Sequence, residues 1–329
     1  MGNKLNIAVL LIRPHAQSRS AVMTWFEGLK DNLDANVYLI TAEPDQYSGK
    51  INYDNLLEYN FEKGLNYQPY YPDICLCTCA EAVIAAKRFC NNVVYYTHDW
   101  FLVYPVAYLD DFSSEYIGIS RDLLADPEII VGASTDFIKE SIERSGCQSK
   151  NIRVLPLLFP KTDIKDIPCI RGVGMLWYGY ITKEDVKGYQ RFLEEAKKAG
   201  YVKVLTIDRD VERIKKDLDN LGIRCSVKAN LHGDEKIRFI SEASWCLLTS
   251  KHETFSLFAA EAASRKPTYY AEFRPWMKFH IDNFNVQNIS RRGAKSYQKR
   301  KKSLAEYNEC AIIQWNEFLH TYENLKETK

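Results

Sequence analysis

Glu253 and Glu261 stand eight residues apart in the segment SKHETFSLFAAEAASRKP, residues 250–267. A carboxylate accepts two hydrogen bonds at once, so it suits the vicinal hydroxyls of a sugar or a ribose. The segment follows an apolar run, Trp245–Leu248, and its spacing predicts a helix over Phe255–Ser264. With a first turn at Thr254–Leu257, free backbone N–H groups and the helix dipole favour a phosphate there. Glu253 then precedes the helix, and Glu261 lies further along it, within reach of a ribose diol. As bare residues, the two glutamates fit a surface helix equally well.

Other side chains could share that chemistry. Lys187 ends the stretch LWYGYITKEDVK, which also holds Gly179 and Lys183. A cation there would suit a diphosphate; the plain alternative is a solvated helix lysine. His98 and Asp99 follow an apolar run, Val93–Tyr96, and two aromatics come next. A lone histidine is more often structural, but the carboxyl end of a parallel strand is where ligands bind. Arg13, His15, Ser18 and Arg19 follow the first apolar run and could contact phosphate or acceptor. The run RRGAKSYQKRKK carries Arg291, Arg292, Lys295, Lys299, Arg300, Lys301 and Lys302. It reads either as a polyanion contact or as a solvated face. Asp208-Arg209-Asp210 spells a D-x-D metal motif, but between a strand and a helix it reads as a cap. Cys75, Cys77 and Cys79 alternate without zinc spacing, so no metal is expected.

The elements that must position these groups alternate strand with helix. Strands are expected at Leu5–Ile12, Asn36–Ile40, Asp73–Thr78, Val93–Tyr96, Tyr116–Ser120, Ile129–Ala133 and Ile152–Leu155. Helices are expected at Ser18–Asn32, Ala80–Phe89 and Thr135–Ser145, with Ser134 as the cap of the last. Residues 43–71 read as a long loop. The periodicity fails between Pro156 and Cys169 and then restarts with strands at Gly174–Tyr178, Val202–Ile207, Arg224–Val227, Trp245–Leu248 and Thr268–Ala271. Helices are expected at Glu184–Ala199, Val211–Leu221, Glu235–Ala243 and Phe255–Ser264, and a last one from about Ser303 to Leu325. The alternation predicts an α/β protein with two doubly wound, Rossmann-like domains facing a cleft. The expected division is a first, N-terminal domain at 1–158, a linker at 159–170 and a second domain at 171–302. A C-terminal helix at 303–329 is expected to pack back on the first domain.

Residues 250–267 resemble the donor motif of the retaining GT-B glycosyltransferases of family 4, P-S-x-x-E-G-F-G-L-x-x-x-E-A-x-A-x-G-x-P. Ser250, Glu253, Phe255, Leu257, Glu261, Ala262, Ala263 and Pro267 match in register. Thr254, Ser256 and Lys266 replace three glycines. Residues 176–189 look like the family's G-R-x-x-x-K-G segment, with Gly179 and Lys187-Gly188 matching and Tyr180 in place of the arginine. VYYTHDWF, residues 94–101, looks like the strand end that carries the family's histidine, and residues 131–157 resemble the run before its linker. The resemblance implies that Glu253 contacts the donor sugar, Glu261 the ribose, and Lys187 the diphosphate, and that His98 faces the transferring sugar. Thr254, Phe255, Ser256 and Leu257 would bind the donor, and Lys183 could supply the missing charge. It implies a UDP- or GDP-sugar as donor substrate with no cofactor or metal required. It also implies that residues 1–158 are the acceptor domain and 171–302 the nucleotide-sugar domain. The expected acceptor is a glycan or lipid-linked hydroxyl, or a hydroxymethylated base in DNA as in phage enzymes. A non-catalytic nucleotide-sugar or nucleic-acid binding protein of the same fold is the alternative.

Composition bounds the rest. The 329 residues carry a net charge of +1. Residues 1–160 sum to −7 and the remainder to +8, which suits an anionic ligand on the second half. No apolar run reaches the ~20 residues of a membrane span. Nine cysteines without a disulfide framework or a secretory signal point to a reducing, cytoplasmic setting.

Overall fold

Ile7 to Leu11 form an uninterrupted apolar run, and such runs become strands covered on both faces. In the computed structural model this is β1, Asn6–Leu11, every residue after Asn6 being buried. The structure describes residues 4–11, 21–41, 56–60, 64–65, 71–97, 114–145, 151–161, 171–183, 185–231, 233–253, 255–292 and 302–327. The chain divides into two units: residues 1–160 with 308–329, and residues 161–307.

The first unit continues with α1 (Ala21–Asn32), β2 (Asn36–Thr41), β3 (Leu56–Asn60), β4 (Gly64–Leu65), β5 (Ile74–Cys77), α2 (Ala80–Ala86) and β6 (Val93–Tyr96). Then come α3 (Ser114–Ala125), β7 (Ile129–Ala133), α4 (Asp136–Arg144) and β8 (Ile152–Val154). The sheet order is β4-β3-β2-β1-β5-β6-β7-β8, parallel except for the β3–β4 pair. The second unit holds β9 (Met175–Tyr178), α5 (Tyr189–Ala199), β10 (Tyr201–Thr206), α6 (Val211–Asn220), β11 (Arg224–Ala229), α7 (Gly233–Ser241) and β12 (Trp245–Leu248). It continues with α8 (Leu257–Ala263), β13 (Thr268–Tyr270), α9 (Met277–Asn283) and β14 (Val286–Asn288). Its six strands run β11-β10-β9-β12-β13-β14, all parallel. The last helix, α10 (Leu304–Glu327), contributes its residues from Asn308 onward to the first unit.

Both sheets are doubly wound, as the alternation predicts. Each grows outward from its first strand in both directions, with the order reversing between β1 and β5 and between β9 and β12. At such a switch point two adjacent strands send their connections to opposite faces, which opens a crevice at their carboxyl ends.

Aromatic side chains fill both cores. In the first unit Trp25 stacks on Tyr96 at 4.2 Å between ring centres, and Trp315 of α10 packs beside it at 6.3 Å. The Trp315 indole N–H donates to the Pro156 carbonyl at 2.8 Å, and Asn308 bonds the backbone of Phe159 in both senses. In the second unit Trp177 stacks on Phe192 at 4.4 Å, within a cluster that includes Met175, Val204, Ile214 and Leu247.

Several expectations are corrected. Residues 116–120 belong to a helix, α3, not a strand. Among its described side chains Ile117, Ser120 and Leu124 are buried, a helical spacing that overrides the local alternation of Ile117 and Ile119. The expected loop at 43–71 contains β3 and β4. Thr135, not Ser134, caps α4, its hydroxyl accepting from the Ile138 N–H at 3.2 Å. Helix α5 starts at Tyr189, five residues later than the spacing predicts, and α8 starts at Leu257. Helix α9 and strand β14 lie where no element is expected.

Candidate functional site

Strand β9 ends at Tyr178 and β12 at Leu248, adjacent strands at the switch point of the second unit. The chain leaving β9 turns through Gly179, whose N–H bonds the Leu205 carbonyl at 3.1 Å. A side chain there would strike the Trp177 indole, a Cβ lying 2.3 Å from it. Asp210 sets the next step. Its buried carboxylate accepts the Ile181 N–H at 2.8 Å and makes no cap hydrogen bond to α6, so D-x-D supplies a loop anchor rather than the expected cap.

The turn then brings Lys187 to β12. Asp185, at φ +53°, accepts the Tyr189 N–H at 2.5 Å and so supports the first turn of α5 from outside the helix. Gly188 follows at φ +66°, and a Cβ on it would lie 2.1 Å from the Thr249 carbonyl oxygen. Only glycine meets both demands without strain. Thr249 clamps the turn: its hydroxyl donates to the Lys187 carbonyl at 2.7 Å and accepts the Trp177 indole N–H at 2.7 Å. The Lys251 N–H closes the junction on the Val186 carbonyl at 2.8 Å.

Lys187 therefore lies in this turn, not on a solvated helix face. Its ammonium meets Glu253 at 2.5 Å, with side-chain exposures of 11 and 14%. Burial alone would lower the Lys187 pKa, but Glu253, helped by the Tyr180 and Tyr178 hydroxyls, raises it above the ordinary lysine value. The Tyr180 ring lies 5.4 Å from the ammonium. Tyr178 is pushed up by its own burial.

The segment carrying Glu253 is held from behind by α9. Trp276 donates its indole N–H to the Ser250 carbonyl at 3.3 Å, and His280 Nε2 bonds the Ser256 carbonyl at 3.0 Å. Phe255 packs on His280 at 4.9 Å, within a cluster completed by Phe279, Phe284 and Tyr307. Ser256, buried, is the N-cap of α8, its hydroxyl accepting the Ala259 N–H at 3.2 Å. Residues 255–256 thus precede the helix, contrary to the expected first turn, and Leu257 is its first residue. Glu261 is buried on α8 and pairs with Lys236 of α7 at 2.6 Å.

The structure brings Gly179, Lys187, Glu253, Phe255, Ser256, Leu257 and Glu261 to the carboxyl edge of one sheet. Lys183 is exposed on the Thr182–Asp185 turn. Arg291, Arg292 and Lys302 are exposed; the Arg292 guanidinium lies 4.3 Å from the centre of the Trp245 ring. Arg13, His15, Ser18, Arg19, His98, Asp99, Thr254, Lys295, Lys299, Arg300 and Lys301 lie outside the described residues. Among the described residues no cluster of His, Cys, Asp or Glu could hold a metal ion. Cys75 and Cys77 are buried in β5, while Cys79 lies beyond it at the start of α2. Sequence reasoning missed Asp185, Lys236, Thr249, Trp276 and His280. Only Asp185, three residues before a glycine, carries a local signal.

No family model matches the chain, and no curated protein matches it. Solved structures do. A sucrose-phosphate synthase from Thermosynechococcus elongatus superposes with a TM-score of 0.69 at 13% identity, over 99% of this chain and 100% of that one. A glycosyltransferase from Rickettsia africae gives 0.61 at 14%, over 100% of both chains. Anabaena HepE in complex with UDP-glucose gives 0.59 at 13%, over 97% of this chain and 91% of that one. At such identities the likeness is one of fold. The chain has the α/β fold of the GT-B glycosyltransferases, two Rossmann-like units in one polypeptide.

Proposed function

We propose that this chain is a retaining glycosyltransferase that moves a sugar from a nucleoside-diphosphate sugar to an acceptor hydroxyl. The observation that carries the reading is the Lys187–Glu253 pair at the switch point of the second sheet. A buried ammonium beside a carboxylate suits a ligand that offers phosphate on one side and hydroxyls on the other. The donor diphosphate would compete with Glu253 for Lys187, freeing Glu253 to accept from the sugar. Glu261 would take the ribose diol. Breaking the anomeric bond builds negative charge on the leaving phosphate, and Lys187, held protonated by its surroundings, would offset it without a metal. The leaving phosphate would then take the acceptor proton. His98 would orient sugar or acceptor, and the first unit, residues 1–158 by the sequence reading, would hold that acceptor. HepE was solved with UDP-glucose, which puts a UDP-sugar ahead of a GDP-sugar here. A cytoplasmic setting fits, and no helix among the described residues is long and apolar enough to cross a membrane. The acceptor is a glycan, a lipid-linked hydroxyl, or a hydroxymethylated base in DNA, for which Arg291, Arg292 and Lys295 to Lys302 would contact phosphate.

Labelled UDP- and GDP-sugars, supplied with glycan, lipid and hydroxymethylated duplex acceptors, test the reading. Transfer with anomeric retention is expected, and Glu253→Ala should lower turnover roughly 100-fold or more. Unchanged turnover in that variant would sink the site. One observation favours a second reading: Tyr180 stands where the resemblance requires an arginine. Nucleotide binding with no transfer to any acceptor would favour a non-catalytic binding protein.

A further inference from the structure

A lysine interrupts the apolar run of β10. Val202 and Val204 belong to the apolar cluster on one face of the second sheet. Strand alternation sends Lys203, between them, to the other face. There its ammonium lies 4.1 Å from the centre of the Phe239 ring and 2.6 Å from Glu242 Oε2. The lysine side chain is 6% exposed and the glutamate 45%. An ammonium has three N–H donors, and among the described residues Lys203 uses one of them, on Glu242. A buried cation with donors to spare is costly unless something else accepts them.

Lys203 and Glu242 line a cavity of about 270 Å³ together with Arg171, Val173 and Tyr201. The cavity lies at the amino edge of the sheet, since Val173 stands two residues before β9 and Tyr201 begins β10. Lys187 and Glu253 belong to the carboxyl edge, at the other end of the same strands. The rim is fixed by the backbone. The Val173 N–H bonds the Glu242 carbonyl at 2.9 Å and the Ser244 N–H the Gly174 carbonyl at 3.0 Å, while the Ser244 hydroxyl donates to the Gly172 carbonyl at 2.6 Å. A Cβ on Gly172 would lie 1.9 Å from the Ala243 carbonyl oxygen, so the segment carrying Arg171 is pressed against the end of α7. Arg171 is exposed, and among the described residues its guanidinium has no ion-pair partner.

We infer that this cavity is a second ligand site, for a small hydroxylated carboxylate. It stands independently of the donor reading. Its volume falls just below the roughly 300 Å³ at which pockets for drug-sized ligands begin, so the occupant is small. Two cations and one carboxylate leave a charge that a monoanion neutralises. The Arg171 fork matches the two oxygens of a carboxylate, and the spare N–H groups of Lys203 add a second, desolvated cation. Glu242 accepts from a hydroxyl of the ligand, which separates the site from a plain anion trap. A phosphate dianion would leave an excess of negative charge beside Glu242, and like charges at that range repel. Val173 and Tyr201 offer apolar surface to the carbon skeleton.

Glycerate, propionate, glycerol and glycerol 3-phosphate are titrated into the full chain by calorimetry at one ionic strength. Glycerate is expected to bind about tenfold tighter than propionate or glycerol, and tighter than glycerol 3-phosphate. Arg171→Ala, at an exposed side chain, should weaken glycerate about tenfold, and Lys203→Met, which keeps the apolar stem, by at least as much. Glu242→Gln should raise the affinity for glycerol 3-phosphate about fivefold by removing the like charge. Saturating UDP should leave glycerate affinity within about twofold, because the two ligands occupy opposite edges of the sheet. No binding of glycerate, unchanged binding in Arg171→Ala, or displacement of glycerate by UDP overturns the site, and Arg171→Ala decides even if Lys203→Met folds poorly. Propionate binding as tightly as glycerate overturns the role of Glu242. Glycerol 3-phosphate binding tighter than glycerate overturns the assignment to a carboxylate.

Discussion

The His280 imidazole is 1% exposed, and burial pushes its pKa down to about 4 against the pull of the Ser256 and Trp276 carbonyls. In the unfolded chain the same ring titrates near 6.5. Above pH 6.5 both states are neutral, and His280 contributes no pH dependence. As pH falls from 6.5 towards 4 the unfolded chain binds a proton that the folded protein refuses, so stability drops, by about 3 kcal/mol in all. His280→Gln keeps an N–H for the Ser256 carbonyl but does not titrate. Urea unfolding at pH 7 and pH 4 should show the acid-induced loss reduced by about that amount in the variant; an equal loss in both proteins would contradict the assignment. The residue scale also shows what the sequence could and could not reveal. Glu253, Glu261 and Lys187 stand out in the sequence because their spacing resembles a motif. His280 and Thr249 are not, because the atoms they hold lie 24 and 62 positions away and no local pattern records such a contact.

Elements carry the next constraint. The sequence spacing starts α5 at Glu184 because Lys183 to Lys187 holds residues that helices accept readily. The helix starts five residues later because Asp185 and Gly188 both take positive φ, which ends any helix running through them. That delay is what makes Lys187 a turn residue able to reach Glu253. Gly188→Ala should therefore cost about 3 kcal/mol, combining left-handed strain with a collision against the Thr249 carbonyl. It should also lower transfer more than the loss of folded protein explains, because Lys187 moves with its neighbour. Chemical denaturation beside kinetics on the folded fraction separates the two effects. Wild-type kcat/KM in a destabilised but folded Gly188→Ala would contradict the coupling. The strands themselves were legible almost to the residue where both faces are buried, as in Val93–Tyr96 and Trp245–Leu248. Helix α9 was not, since MKFHIDN is short and only Met277 and His280 are buried on it.

At the scale of the molecule, the proposed donor site predicts which unit a nucleotide would stabilise. The doubly wound alternation was legible in both units, apart from α3, read as a strand, and β3, β4, α9 and β14, which were not expected; the strand order that makes the switch points comes from the structure. Residues 161–307, the second unit, sum to +10 and the first unit, 1–160 with 308–329, to −9, so the excess of positive charge lies with the second unit's sequence. A nucleotide bound at the proposed site, on Lys187, Glu253 and Glu261, would stabilise the second unit by mass action, by about 2.7 kcal/mol at a free concentration of 100 times Kd. Hydrogen exchange on the full chain, with and without UDP or GDP, localises the gain. Protection is expected at β9, at the turn through Gly188, at the β12–α8 connection and in α8. The strands β1, β5 and β6 of the first unit should exchange as before with nucleotide alone. Protection confined to the first unit would move the nucleotide site away from the second switch point, because binding free energy raises the opening cost only of segments that must come apart to release the ligand.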